Sequence, residues 1–228
     1  MTGLTGLTGL TGLVADRLSV AYDGELRLRE VSLELRPGQL LAVTGSAGAG
    51  KTTLLWALAG LVPLHTGSVS TGPATRRRAV ASARVVLMPQ GDGLAGVLSA
   101  TENVLLPLLS AGLDPGRATQ LAQSALAAVG LGEAGGQLVE ELSGGQQQRV
   151  CVARGLARRG DIVLADEPTS AVDAANRAAI VALLRAEAGR GAVVVLATHD
   201  PEAAAECDGE LHLDDGQATW VRPVPARP

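Results

Sequence analysis

GSAGAGKTT, residues 45–53, follows the apolar run LLAVT at 40–44 and leads into LLWAL at 54–58. Gly45, Gly50, Lys51 and Thr52 fit the spacing G-x-x-x-x-G-K-[ST], in the setting that spacing requires: a strand before it and a helix after it. Glycines let the backbone curl so that successive N–H groups point inward, and the helix N-terminus adds its field. Together they form a cradle for an α- and a β-phosphate. The cradle spans Gly45, Ser46, Ala47, Gly48, Ala49, Gly50, Lys51, Thr52 and Thr53. The Thr52 hydroxyl is placed to ligate Mg2+, and Lys51 to reach between the β- and γ-phosphates. Lysine and arginine together number 19, and Lys51 is the only lysine. An ammonium is a compact point charge on a flexible stem, whereas guanidinium is a broad planar fork. A chain that meets its other needs for positive charge with arginine thus keeps the slim cation for this one position.

The 228 residues suffice for one substantial core, or for a core with a small inserted subdomain. Apolar residues make up 46% of the chain, yet there is no Phe, one Tyr and two Trp, so the core must be packed with Leu, Val and Ala. A net charge of −4 without a long basic block argues against a nucleic-acid footprint, so any anion must be held by a local device. Cys151 and Cys207 lack metal-ligand spacing and read as small buried hydrophobes in a reduced, cytosolic setting. No window reaches the 18 or so uninterrupted apolar residues of a membrane span. The first basic residue, Arg17, comes too late for a signal peptide, so the chain is expected to stay in the cytosol.

TGLTGLTGLTGL at residues 2–13 has a period of three, which suits neither an amphipathic helix nor a half-buried strand, and is expected to be a disordered extension over residues 1–13. Ordered alternation is expected from Leu18, with LSVAYD and LRLREVSLEL as strands and Pro37-Gly38 as a turn. The stretch from Gly91 to about Leu142 mixes Gly and Pro with Ala-rich helical windows such as residues 118–129, and reads as a helical insertion. Apolar runs at 162–165 and 193–197 look like parallel strands covered on both faces, with a helix over about 174–188 between them. Residues 210–213 and 218–221 flank Asp215-Gly216 as a terminal hairpin, before a tail at 222–228.

In DIVLADEPTSAVD, residues 161–173, Asp166 and Glu167 emerge at the carboxyl end of a strand, where open α/β sheets bind ligands. Asp166 is expected to hold the Mg2+ shell through a hydration water, and Glu167 to accept a proton from an attacking water. A lone acidic pair would read as a solvated strand end; beside a phosphate loop it reads as chemistry. His199 closes the strand VVVLATHD and could sit beside a γ-phosphate, although a single His at a strand end is more often structural. Gln90, ending VVLMPQ, can coordinate Mg2+ or orient the nucleophile through its amide.

LSGGQQQRV, residues 142–150, resembles the signature of the ATP-binding subunits of ABC transporters, and lies upstream of Asp166-Glu167 at the family's distance. The resemblance covers about residues 14–216, with the phosphate loop, Gln90, the signature, ADEPTS, Asp173 and His199 in the family's order. It implies an α/β fold of the P-loop NTPase class: a RecA-like core with an antiparallel β subdomain and an inserted α-helical subdomain. In this reading the ATPase domain occupies 14–221, with core segments 14–91 and 147–221 and the helical subdomain at about 92–146. It implies ATP and Mg2+ as ligands and ATP hydrolysis as the reaction. Ser143, Gly144, Gly145 and Gln146 open a helix and offer free N–H groups. The resemblance directs them to the γ-phosphate held by a second ATPase subunit, identical or different. Asp173 matches a turn that signals between the two sites, though it could simply cap the helix after it. Tyr22 lies where the family stacks an aromatic on adenine, while a ring in a strand is more often core.

LSATENVLLPLL, residues 98–109, resembles the subunits serving lipoprotein-release, macrolide-export and cell-division-type permeases, whereas the interval from Lys51 to Gln90 is short for that group. Arg76 to Arg78 could touch acidic lipid or a permease loop, or be a solvated charge run. The implied protein is a cytoplasmic ATPase, peripheral on the inner face of the membrane, that drives a transmembrane permease and binds no nucleic acid. Two alternatives belong to other classes. One is a soluble nucleotide-gated clamp, against which the absence of a long coiled-coil insertion speaks. The other is a low-turnover regulator, against which Glu167 and His199 speak.

Overall fold

The computed structural model describes residues 12–72, 78–91 and 93–225. Strands β1 (Leu13–Tyr22) and β2 (Glu25–Leu35) form an antiparallel hairpin; β3 (Leu40–Thr44) then leads through the glycine loop into α1 (Lys51–Leu58). Next come β4 (Thr66–Thr71), β5 (Arg78–Ala79) and β6 (Val85–Met88). Helices α2 (Ala100–Ser110), α3 (Pro115–Ala128) and α4 (Gly144–Ala157) follow. The chain closes with β7 (Ile162–Asp166), α5 (Ala174–Gly189), β8 (Val193–Ala197), α6 (Pro201–Ala205), β9 (Gly209–Asp214) and β10 (Gln217–Arg222).

The strands line up as β5-β4-β1-β2-β10-β9-β3-β8-β7-β6. The half from β9 to β6 pairs in parallel, while β1, β2, β4 and β5 pair antiparallel. A single parallel partner pair, Gln217 with Arg29, joins the halves. All five positions of each of β3, β7 and β8 are buried, because both sheet faces are covered. Alternation assigns the side chains to two cores. Leu40, Ala42, Val163, Ala165, Val194 and Leu196 join α2 to α6 on one face. Leu41, Val43, Ile162, Leu164, Val193 and Val195 meet Leu54, Leu55 and Leu58 of α1 on the other. With no Phe available, leucine supplies most of the largest fully buried side chains. Truncating the fully buried Leu54 to alanine should therefore cost about 2–5 kcal/mol, readable as a lower urea midpoint at unchanged slope.

Some boundaries differ from the sequence-based expectation. Order begins before Leu18: Leu13 pairs with Leu35 and Thr71 and is fully buried, so it belongs to β1 and not to the extension. Its place in the TGL repeat hid a leucine whose burial depends on strands β2 and β4. Most of the repeat, and Arg76 and Arg77, lie outside the described residues; Arg78 is an exposed residue of β5. Helix α4 runs unbroken across the 146/147 boundary drawn between helical insertion and core, and it packs with α2 and α3. Arg222, assigned to the tail, ends β10 and donates to the carbonyls of Ala204 (3.0 Å) and Cys207 (2.9 Å), tying the strand to the end of α6. Both cysteines are buried, and burial pushes the Cys207 thiol up to about 12.

Candidate functional site

Four parallel strands deliver the site. The loop after β3, Gln90 after β6, Asp166 and Glu167 at the end of β7 and His199 after β8 all lie at the carboxyl edge of the sheet. Ala47, Gly48, Gly50, Lys51, Thr52, Thr53, Gln90, Asp166, Glu167 and His199 line one cavity of about 550 Å3. The loop owes its curl to two glycines with no room for a side chain. Gly45 has φ +144 and a Cβ there would come 2.4 Å from the Leu213 carbonyl oxygen; Gly50 has φ +107 and a Cβ would meet Leu28 Cδ2 at 3.0 Å.

Lys51 is only 8% exposed, and its ammonium donates to the carbonyls of Gly45 (2.8 Å) and Ser46 (3.1 Å). It also stands 3.5 Å from Glu167 Oε1, while Glu167 Oε2 lies 2.9 Å from His199 Nδ1. The lone lysine, the glutamate and the histidine thus form a continuous polar chain across the mouth of β7. Glu167 is itself buried, but the His199 side chain is 66% exposed, so the histidine faces outward from the glutamate it touches.

Asp166 is 2% exposed, and neither carboxylate oxygen has a hydrogen-bond partner. Burial pushes its carboxyl up, countered by the facing Thr52 hydroxyl, with Glu167 adding to the rise and Lys51 opposing it. Buried carboxylate oxygens left unpartnered in a polar cavity carry a desolvation penalty that a hard divalent cation would relieve. Asp166, Thr52 and Gln90 supply oxygen donors of the kind Mg2+ takes, so the residues present fit that ion.

Other expected site residues do not line this cavity. Ser46 presents its carbonyl to Lys51, and Ala49 is buried behind the loop, accepting from Gly216 N at 3.1 Å. Tyr22 ends β1 opposite Glu25 and is 38% exposed. Ser143, Gly144, Gly145 and Gln146 open α4, where Ser143 and Gln146 form a reciprocal capping box. Asp173 caps α5, accepting from Asn176 N at 2.9 Å. Sequence reasoning missed Gln148. Its side chain joins α4 to the Glu167–Ala171 segment, but nothing in a run of three glutamines marks which one faces that segment.

Comparison with known proteins identifies the family and the fold. Residues 28–170 match the ABC transporter family. The macrolide export ATP-binding/permease protein MacB of Nitrosomonas europaea is 39% identical over 83% of this chain and 30% of its own length. The lipoprotein-releasing system ATP-binding protein LolD of Bordetella avium is 37% identical over 89% of this chain and 94% of its own. The chain spans about a third of the length of the export ATP-binding/permease relatives it matches. Among solved structures, the dimeric bacterial ABC transporter cassette MJ0796 superposes with a TM-score of 0.83 at 26% identity, covering 94% of this chain and 100% of that one. A post-hydrolysis dimer of the same cassette, bound to ADP and Pi, gives 0.82.

Proposed function

The chain belongs to the ABC transporter family, and from that premise we propose that it is the ATP-binding, ATP-hydrolysing part of a transporter, working as one of two paired cassettes against a membrane permease. The observation that carries this reading is the single cavity in which the phosphate-loop lysine, an orphaned buried aspartate, a glutamate and a histidine converge.

Loop N–H groups from residues 45–53 cradle the inner phosphates of ATP, and Lys51 turns from the Gly45 and Ser46 carbonyls to the β- and γ-phosphates. Thr52, Asp166 and Gln90 would hold Mg2+, which would supply charge neutralisation for the phosphates. Glu167 accepts the proton of the attacking water, and His199 orients Glu167 from the open side of the cavity. Tyr22, 38% exposed at the end of β1, would stack on adenine. Ser143, Gly144, Gly145 and Gln146 do not line their own chain's cavity, which supports their facing the nucleotide of a second subunit, with Asp173 at the seam between the two. The dimeric cassettes that share this fold support the pairing.

The permease would dock on residues 93–103, beside Gln90. Val97 there is 75% exposed, while buried Asn103 fixes the loop by accepting from Ala95 N (2.8 Å) and donating to the carbonyls of Ala95 and Ser99 (3.0 Å each). Among the described residues no helix is long and apolar enough to cross a membrane, so this segment would act at the membrane's inner face through that partner.

The test is ATP turnover titrated with Mg2+. Asp166→Asn removes a charge from the proposed metal site, and should raise the Mg2+ concentration for half-maximal turnover at least tenfold, the scale of one charge-assisted contact. An unchanged Mg2+ dependence would remove Asp166 from the metal's shell.

A further inference from the structure

The three glutamines that follow the glycines of α4 point in three directions, because successive helical residues are about 100° apart. Gln146 reaches back to the N-cap, accepting from Ser143 N at 2.8 Å. Gln147 donates to the carbonyls of Val139 and Leu142, both at 2.9 Å, holding the turn that precedes the helix. Gln148 alone reaches across to another segment. Its Nε2 donates to the Glu167 carbonyl (2.7 Å) and to Ser170 Oγ (3.1 Å), and its Oε1 accepts from Ala171 N (2.7 Å). The same face of α4 is pressed close: a Cβ on Gly145 would come 2.8 Å from the Ala171 carbonyl oxygen.

The backbone that Gln148 grips is strained. Glu167 has φ +49, a left-handed conformation that a side-chain-bearing residue holds only when its surroundings impose it. Glu167 N donates to the Ala197 carbonyl of β8 (2.9 Å), which fixes one side of the peptide. Its carbonyl is fixed on the other side by Gln148 and, locally, by Ser170 N (3.3 Å) and Ser170 Oγ (3.1 Å). Among the described residues that hydrogen-bond to that carbonyl, Gln148 is the one on another element, so its amide gives α4 a direct hold on the Glu167 backbone.

We infer that Gln148 is a positioning residue for Glu167, tying the carboxylate at the end of β7 to the helix whose N-terminus carries Ser143, Gly144 and Gly145. This rests on the proposed paired reading, in which that N-terminus serves the neighbouring subunit's nucleotide while Glu167 serves its own. One amide side chain then connects the two half-sites within each chain. Occupancy of one site sets the position of α4, and α4 sets the geometry of Glu167 in the other. By linkage the effect is reciprocal in binding.

Gln148→Met keeps the side chain's volume and removes all three bonds; Gln148→Glu keeps the acceptor for Ala171 N and puts a carboxylate oxygen where Nε2 donated. Steady-state ATP hydrolysis with Mg2+-ATP should show kcat falling about ten- to a hundredfold in both variants, the cost of a misplaced catalytic group, with KM within about threefold. The Hill coefficient for ATP should drop towards 1. Amide exchange at Ala171 should accelerate in Gln148→Met while amides of β3 and β8 keep their protection, which separates a lost local bond from lost folding. Parallel loss of protection at Ala171, β3 and β8 would make the residue merely structural and overturn the inference, as would wild-type kcat and cooperativity in either variant. A wild-type protein that binds no ATP, or does not hydrolyse it, would instead overturn the underlying cassette reading, so the two failures are distinct.

Discussion

Glu167→Gln should lower kcat for ATP hydrolysis by about 10²–10⁴ while leaving nucleotide binding intact, so that an ATP-filled dimer accumulates and can be seen by size-exclusion chromatography. The substitution is nearly isosteric, which confines its effect to chemistry: an amide oxygen cannot take up the proton that a carboxylate accepts from water. The surroundings favour the outcome. Glu167 is buried and has one oxygen near Lys51 Nζ at 3.5 Å and the other at 2.9 Å from His199 Nδ1, so its carboxylate is pre-aimed before substrate arrives. Lys51 is divided between Glu167 and two backbone carbonyls. Removing the glutamate's charge releases part of that hold, so ATP affinity should stay equal or rise. Wild-type turnover in this variant would move the base elsewhere.

Lys51→Ala should weaken ATP binding by about 2–5 kcal/mol, the cost of truncating one partner of a buried charge pair, which is roughly 30- to 5,000-fold. Lys51→Arg should not rescue it. The ammonium sits 8% exposed inside the curl of residues 45–50, within 3.1 Å of two backbone carbonyls. A planar fork of greater width cannot enter that curl without opening it, and the loop packs closely at Gly45, where even a Cβ would come 2.4 Å from the Leu213 carbonyl oxygen. Fluorescent-nucleotide titration distinguishes the cases. Near-native affinity for Lys51→Arg would show that the site requires only positive charge, and the restriction of lysine to this one position would then have another cause.

Much of the protein was legible from local pattern. The apolar runs that became β3, β7 and β8 announced strands covered on both faces, and the Asp215-Gly216 turn announced the β9–β10 hairpin. The phosphate loop, Asp166-Glu167, Gln90 and His199 could each be singled out as candidates by residue type and distance from a strand end, and the fold brings them to one cavity. Leu13 was not readable, since a leucine inside a TGL repeat is identified as core only by the strands on either side of it. Gln148 was hidden for a related reason: three identical neighbours differ only in the direction the helix gives them.

The sequence by itself therefore determined the order of elements and the candidate site side chains, because hydrophobic periodicity and motif spacing act within a few residues of one another. Tertiary structure alone decided which of those side chains touch. Lys51 and Glu167 are 116 positions apart, and Glu167 and His199 are 32 apart; they meet because β3, β8 and β7 pair in register and end at one edge. That register is set by burying alternate residues of each strand in two separate cores, a constraint that exists only once the whole sheet has closed.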